Sequence, residues 1–319
     1  MPGLALALLA SACKSELVVG IWSKPSDTGG GAGTAGSGTA GGLGGGGNGG
    51  AAMAGVAGAG FSGSGGSEAG SAGDGSAGEG GSGAGGEAGG GGGCDPNAVP
   101  MGPVTDPITV PWQTGFENGV CDYVEANGYC YVNGDASYEV VTTRAHLGNS
   151  SLAVSVNAAD GAAQSRCVRQ GTFPPDAYYG AWFFVPEAAT DARLWNLFLF
   201  QGRNDGEDFE RLWDVSLGNT DTGGQGLFVF DHRGGEVLMG PANIEIPIGT
   251  WFHVELRLLR AADDSGLVAL YQDDELLLET RRPTDDTMRG QWYVGNLADG
   301  RLPPDSTVYV DDVSIRAAP

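Results

Sequence analysis

The chain has 319 residues, of which 59 are glycine, and its formal net charge is −23. From Cys94 onward, 33 acidic residues stand against 14 arginines and no lysine, a balance of −19. We therefore expect no nucleic-acid partner, because phosphate binding needs a basic surface. The acidity indicates either a well-solvated surface or acidic loops that hold divalent cations.

The first thirteen residues, MPGLALALLASAC, are typical of the end of a secretion signal. The apolar run from Leu4 to Ala10 is too short to span a bilayer. Small residues then precede Cys13, and this pattern resembles a lipoprotein signal in which Cys13 carries the lipid and becomes the mature N-terminus. No basic residue precedes the run, and Ala10 stands where Leu is usual. An ordinary secreted protein with an incidental cysteine is the alternative.

Residues 14–93 are predicted to form a flexible tether. Of the 65 residues from Gly29 to Gly93, 34 are glycine, and so glycine-rich a segment buries too little apolar surface to offset its ordering entropy. A lipid-anchored domain needs such a spacer. Residues 94–319 then form one domain, and we expect an exported monomer, held at the bacterial cell envelope by its lipid anchor alone.

Four cysteines remain in the predicted domain, and an even count in an exported chain indicates two disulfides. The three pairings stay open. We favour the one in which Cys121 and Cys130 close a short polar loop and Cys94 joins the tether's end to Cys167. A metal site on these cysteines is a poor alternative, because the chain has no Cys-x-x-Cys pair.

Strand patterns separated by turn residues recur through the domain, and we find no helical period over twelve residues. The fold class is therefore all-β, with two antiparallel sheets packed face to face, or a barrel. The predicted strands are 138–144, 151–156, 177–185, 194–200, 211–217, 226–232, 251–259, 267–272, 276–281, 291–296 and 307–315.

Two of these strands indicate which side of a sheet is buried. Alternation in 251–259 places Phe252, Val254, Leu256 and Leu258 on one side, which we expect to face the partner sheet. Strand 177–185 is apolar on both sides. It is therefore either covered on both faces or exposes a binding surface.

Several motifs together resemble concanavalin A-like lectin and glucanase domains, including laminin-G-like and polysaccharide lyase-like jelly rolls. The stretch GTWFHVELRLL followed by SGLVALYQDDELLLE resembles their central strand and hairpin. TGFENG and YVDDVSI resemble the first and last strands, and YYGAWFFVP with WNLFLFQG resembles central strands of the lyase-like members. The resemblance covers about residues 112–316 and implies a two-sheet antiparallel jelly-roll sandwich whose first and last strands lie side by side.

The resemblance also implies a structural calcium ion. Its ligands would be Glu117 with Asp311 or Asp312, together with main-chain oxygens, because calcium takes six to eight oxygen ligands. The alternative is that Asp311 and Asp312 lie at a bulge or a sheet edge and face water.

Recognition of a polysaccharide or other glycan is the leading interpretation of function. Aromatic faces stack on sugars, and arginines and amides bind their hydroxyl or carboxylate groups. For any one tryptophan, core packing is the competing explanation. The candidate carbohydrate-binding residues are Arg166, Arg169, Tyr178, Trp182, Asn196 and Gln201.

Two other functions stay open. A polysaccharide lyase needs a Tyr, His or Lys base and a cation for the uronate, and the chain offers Tyr, Arg and three His but no Lys in the domain. A retaining glycosidase needs two carboxylates on one strand, and residues 205–211 are the nearest match, in a loop-like context. We name no catalytic residue. A structural or adhesive surface protein without a sugar ligand is the third possibility.

Overall fold

A computed structural model describes residues 94–95, 104–241 and 243–319. Cys13, the leader and the tether predicted for residues 14–93 lie outside the described residues. The described chain folds into fifteen strands and one four-residue helix, α1 (Cys121–Val124). No helix in this part of the chain is both long and apolar enough to cross a membrane.

Sheet 1 contains eight antiparallel strands. Seven lie side by side, and β1 (Trp112–Thr114) pairs with β15 beyond a bulge in that strand. In spatial order the seven are β13 (Glu275–Arg281), β12 (Leu267–Gln272), β11 (Trp251–Leu259), β6 (Asp176–Phe184), β15 (Asp305–Ala317), β4 (Ser151–Asn157) and β3 (Asp135–Val141).

Sheet 2 contains seven antiparallel strands and packs against sheet 1. In spatial order they are β10 (Glu236–Met239), β9 (Gln225–Asp231), β8 (Glu210–Asn219), β7 (Leu194–Arg203), β14 (Arg289–Asp299), β5 (Ala163–Gly171) and β2 (Tyr129–Asn133). The domain is therefore the two-sheet antiparallel jelly-roll sandwich that the sequence predicted.

Aromatic rings from both sheets interlock in the core. Phe183 of sheet 1 lies 5.5 Å from Phe198 of sheet 2, centroid to centroid, and 6.2 Å from Phe252 of its own sheet. Phe198 in turn meets Trp292 edge-on at 5.3 Å. Each large apolar side chain buried in this way stabilises the fold by roughly 1.5–3 kcal/mol.

All eleven predicted strands are present, with ends shifted by a few residues. The predicted inward face of β11 is confirmed, because Phe252, Val254, Leu256 and Leu258 are fully buried. Four strands were not predicted: β1, β2, β5 and β10. β5 was not predicted because polar residues, including Arg166 and Arg169, lie on both of its faces. The alternation of apolar and polar residues that marks a strand is therefore weak.

The predicted disulfide pairing is wrong. The bonds join Cys94 to Cys121 and Cys130 to Cys167. β2 lies beside β5 with Cys130 directly opposite Cys167, a neighbour relation that depends on two strands not recognised in the sequence. Two disulfides are typical of a protein that folds in an oxidising compartment, and therefore of an exported one.

The first and last strands meet as predicted, with Trp112 opposite Ile315 and Thr114 opposite Val313. Where β15 passes β6, its register shifts between Asp311 and Ser314. Asp312 takes a positive φ of 44° at this bulge. The two aspartates therefore lie at a bulge, but Asp311 is fully buried and does not face water.

Candidate functional site

A cluster of polar and aromatic side chains occupies the outer face of sheet 2. On β5 the core takes Ala163 and Cys167, so alternation turns Arg166 and Val168 to the outside. Val168 belongs to a small apolar cluster that is separate from the main core. We call this surface the Arg166 face, and it comprises Tyr129, Tyr131, Arg166, Val168, Asn196, Leu199, Gln201 and Tyr293.

Arg166 reaches across the sheet because of a glycine. Its neighbour on β14 is Gly295, with φ of 149°, and a Cβ there would lie 2.4 Å from the Ser165 carbonyl oxygen and 2.9 Å from Arg166 Cα. With no side chain in the way, Arg166 Nη2 donates to Asn196 Oδ1 on β7. Asn196 Nδ2 donates in turn to the Phe198 carbonyl, at 2.7 Å. The central cation of the face is thus held across three strands.

The Arg166 guanidinium is buried and only partly paired. Arg166 is 1% exposed, and its Nε and Nη1 groups have no hydrogen-bond partner among the described residues. Burial lowers the pKa of Arg166, while Tyr131 and Asp214 oppose that shift. A buried N–H without an acceptor costs about 1–3 kcal/mol, so this group is poised to gain from an oxygen-rich ligand.

Tyrosines and glutamines surround the guanidinium. Tyr131 stands opposite Arg166 in the ladder and donates to Gln164 Oε1 at 3.0 Å. Tyr293 Oη lies 2.6 Å from Gln291 Oε1 and 3.0 Å from Gln201 Oε1. A phenol has one proton, so it donates to one of these amides and leaves the other free to turn. The half-buried rings and amides offer stacking surface and hydrogen bonds side by side.

The opposite flank of the same face carries a histidine and a carboxylate. His232 Nε2 lies 2.9 Å from Asp214 Oδ2, within ion-pair distance, although the angles do not satisfy a hydrogen bond. Phe230 meets the His232 ring edge-on at 4.7 Å. Asp214 Oδ1 has no hydrogen-bond partner among the described residues. This pair is the group on the face best suited to move a proton.

Tyr293 is poorly suited to act as a base. Burial raises its pKa above the usual value for a tyrosine, and Tyr129 and Tyr131 raise it further. Such a phenol stays protonated at neutral pH and acts as a donor.

Three of the six candidate sugar-binding residues, Arg166, Asn196 and Gln201, lie together on the Arg166 face. Arg169 does not join them. It is buried beside Trp112, with its guanidinium carbon 4.5 Å from the indole centroid. Strand β5 turns successive residues to opposite sides, and that alternation separates the two arginines.

Tyr178 and Trp182 lie on the outer face of sheet 1, away from the Arg166 face. Trp182 is stacked between His146, at 3.7 Å, and His253, at 5.3 Å. The Arg316 guanidinium lies 3.8 Å over Tyr178. The rings of Tyr178 and Trp182 are therefore both covered by neighbouring side chains.

Sequence reasoning did not select Tyr129, Tyr131, Phe228, Phe230 or Asp214 for this site. The signal that could have found Tyr129 and Tyr131 is the strand β2 with its Tyr-x-Tyr pattern, beside an outward arginine on β5. Phe228 and Phe230 alternate with the core residues Leu227 and Val229 in the predicted strand 226–232. Trp195, Trp213 and Trp292, by contrast, are fully buried core residues, as the core-packing explanation requires.

The three carboxylates proposed for calcium gather around the loop that joins β3 to β4. Glu117 Oε1 accepts the N–H of Asn149 at 2.6 Å and of Ser150 at 3.0 Å. Asp311 Oδ2 accepts the N–H of His146 at 2.7 Å. Asp312 Oδ2 lies 2.6 Å from the ring Nδ1 of His146. The carboxylates thus hold this loop to the start and end of the domain.

Calcium itself stays a prediction. Among the residues that the structure describes, no group of three or more His, Cys, Asp or Glu side chains converges as metal ligands do. Burial raises the pKa of Asp311 to about 6, against the opposing hydrogen bonds from His146 and Asp312. Its charge is therefore incompletely compensated by the N–H donors present, which is the property a nearby cation would correct.

Comparison with known proteins gives structural likenesses only. No protein-family model matches the chain, and no curated protein sequence matches it. Similar solved structures include an endo-β-1,4-glucuronan lyase from the fungus Trichoderma reesei, at 17% identity over 59% of this chain and 90% of that one, with a TM-score of 0.48. The cellulose-induced protein Cip1 follows at 15% identity over 65% and 97%, TM-score 0.47.

A third similar structure is the alginate lyase Aly36B, in a mutant form bound to an alginate trisaccharide. It shares 13% identity over 66% of this chain and 100% of that one, with a TM-score of 0.47. These values assign no substrate or activity to the present chain.

Proposed function

We propose that the protein is a lipid-anchored, exported carbohydrate-binding protein that recognises a polysaccharide along the Arg166 face. The observation that carries the proposal is the buried guanidinium of Arg166, whose Nε and Nη1 lack partners. Buried polar atoms in native proteins nearly always have a hydrogen-bond partner. Binding of a sugar oxygen would supply the partner that these two N–H groups lack.

The surroundings of Arg166 suit a sugar chain. Partly exposed rings stand on both sides, Tyr129 and Tyr131 on β2 and Phe228 and Phe230 on β9. Aromatic faces stack on the apolar side of sugar rings, and the amide of Gln201 between them can bind hydroxyl groups. In this proposal the half-buried Tyr131 ring turns on binding, stacks against the sugar and exposes Arg166 to a sugar oxygen.

Lysis of the bound polysaccharide is the second candidate. It is favoured by one observation, the His232–Asp214 pair on the same face as Arg166. A histidine held beside a carboxylate is a suitable general base, and a nearby arginine stabilises the charge that develops on a uronate. The phenol of Tyr293, with its raised pKa, supplies a donor instead of a base.

A polysaccharide panel separates these candidates from an adhesive protein that binds no sugar. The exported domain is tested for retention on neutral and uronate-containing polysaccharides, and the same mixtures are assayed for unsaturated ends. Retention without new ends supports the binding protein, and retention with new ends that the Asp214→Asn variant no longer produces supports the lyase. Absence of retention on every polysaccharide contradicts the proposal.

The lipid anchor has its own test. In a bacterial host the full chain is labelled with a radioactive fatty acid, alongside the Cys13→Ser variant. We expect label in the wild type only. Absence of label from both proteins would contradict the lipid anchor and support the alternative, an ordinary secreted protein.

A further inference from the structure

A second polar site lies beside the last residues of β5. A cavity of about 210 Å³ is bounded there by the segment 106–109, by Trp112 and by the residues that follow α1. Arg169 and Gln170 form its wall on the β5 side. The volume is below the roughly 300–1,000 Å³ of pockets that hold drug-sized ligands, so the cavity takes a single small ring.

Arg169 is buried at this cavity without enough acceptors. It is 2% exposed, and its Nε and Nη1 groups have no hydrogen-bond partner among the described residues. Burial lowers the pKa of Arg169 to about 10, so the group is still charged at neutral pH. The two unpaired N–H groups of Arg169 favour a ligand that brings oxygen atoms.

The rest of the lining indicates which oxygens. The exposed carboxylates of Asp106 and Glu125 also border the cavity, together with the amides of Asn127 and Gln170. Two carboxylates against one guanidinium give a lining that disfavours an anion. Hydroxyl groups, which both donate and accept, match carboxylates, amides and a guanidinium together, and the indole of Trp112 supplies an apolar wall.

We propose that this cavity binds one neutral sugar ring. The inference rests on the proposed function, because the cavity is joined to the Arg166 face by Gln170, whose Oε1 accepts a 3.1 Å hydrogen bond from Gln291 Nε2. Gln291 in turn contacts Tyr293 of that face. A polysaccharide on the Arg166 face therefore places a terminal or branching neutral sugar in the cavity.

The test follows the indole N–H signal of Trp112 by NMR, assigned with the Trp112→Phe variant. The folded protein is titrated with glucose, galactose and mannose, and with glucuronate and galacturonate. We expect a saturable shift with at least one neutral hexose, and about tenfold or more weaker binding of its uronate. The Asp106→Asn/Glu125→Gln double variant should reduce the difference in affinity between the neutral hexose and its uronate. Glu139→Gln, a change of the same kind on the exposed edge strand β3, should leave this difference in affinity unchanged.

Arginine variants separate this site from the Arg166 face. Arg169→Lys keeps the charge but loses the planar fork, and it should weaken hexose binding about tenfold, whereas Arg166→Gln should leave free hexose binding intact. If the wild type binds oligosaccharides more tightly than hexose, and Arg166→Gln loses this advantage, the bound sugar is the end of a chain. If oligosaccharides and hexose bind with equal affinity, the bound sugar is a free one. No saturable shift with any hexose, or an unchanged affinity in Arg169→Lys, overturns the inference even if polysaccharide still binds the Arg166 face.

Discussion

The Arg166 guanidinium donates to the side-chain oxygen of Asn196, although the strand β14 lies between the strands that carry them. Gly295 on β14 makes that contact sterically accessible. Because Gly295 has no side chain, Arg166 can cross β14, and the position of this buried cation therefore depends on the glycine. The centre of the proposed binding surface thus depends on backbone conformation as well as on the polar groups.

Substitution of Gly295 by alanine should therefore be costly. The new Cβ would meet the Ser165 carbonyl oxygen at 2.4 Å and would sit on a backbone with φ of 149°. We expect a loss of about 1–3 kcal/mol in the free energy of unfolding, measured by urea denaturation, together with weaker polysaccharide binding.

Gly161→Ala is the matched control for this change. Gly161 has φ of 124°, also unfavourable for alanine, but a Cβ there meets nothing within 4 Å. Its loss of stability should be the smaller of the two, with binding unchanged. Equal effects of the two substitutions would show that the close approach at Gly295 does not matter.

Removal of the Cys130–Cys167 disulfide should affect both stability and binding. The bond joins the strand of Tyr131 to the strand of Arg166. For residues 37 apart in sequence, the chain-entropy model gives a loss of about 4 kcal/mol. Replacement of both cysteines by serine should lower the melting temperature and weaken polysaccharide binding.

The Cys94–Cys121 bond provides the comparison, because neither cysteine lies in a strand of sheet 2. Its replacement by serines should lower stability by a similar amount, since the separation of 27 residues is comparable. Polysaccharide binding measured well below the melting temperature should then change less than in the Cys130/Cys167 variant. The opposite order would contradict the assignment of binding to the Arg166 face.

The sequence predicted the architecture because strand alternation and turn residues are local signals. Strand β11 shows this, with every predicted inward residue fully buried. The site was predicted only in part because it depends on which strands are neighbours. β5 carries Arg166 outward and Arg169 inward, and its mixed polarity hid the strand itself.

Neighbour relations also explain the other errors. Cys130 pairs with Cys167 through ladder register, which spacing along the chain does not encode. Trp182 lies on β6 and Arg166 on β5, and these strands belong to different sheets. The meeting of β1 with β15, by contrast, was predictable because the family resemblance carried that topology.

Calcium at the loop between β3 and β4 is tested by chelation. If an ion compensates the buried carboxylate of Asp311, excess EDTA should lower the melting temperature by several degrees, and added calcium should restore it. The Asp311→Asn variant should lose this response. An unchanged melting temperature in excess chelator would show that no calcium ion stabilises the domain. The main-chain N–H groups of His146 and Asp312 would then be what stabilises the Asp311 carboxylate.

The stability of the domain should depend on His253 at mildly acidic pH. Burial against Trp182 lowers the pKa of His253 below 6.5, although Glu255, Asp273 and Asp274 oppose the shift and Arg316 adds to it. As pH falls through 6.5, the unfolded chain takes up a proton that the folded imidazole resists. The contribution of His253 to the free energy of unfolding should therefore decrease below about pH 6.5, whereas Asp311, whose pKa is raised to about 6, contributes a change of the opposite sign.

His253→Gln isolates this contribution. Both proteins are measured by urea denaturation from pH 7.5 to 5, and the free energy of unfolding of the wild type should decrease relative to that of the variant as the pH falls. Parallel pH profiles for the two proteins would exclude a contribution of His253.

Polysaccharide recognition by the Arg166 face is tested most directly by comparing two arginine variants in a titration with the best polysaccharide ligand. Arg166→Gln removes the buried donor on sheet 2, and Arg316→Gln removes the same charge from the outer face of sheet 1, where it pairs with Glu255. We predict about tenfold or more weaker binding for Arg166→Gln and near wild-type affinity for Arg316→Gln; Tyr131→Ala should follow Arg166→Gln if that variant is unstable. Wild-type affinity in both Arg166→Gln and Tyr131→Ala, or loss confined to Arg316→Gln, would contradict the account.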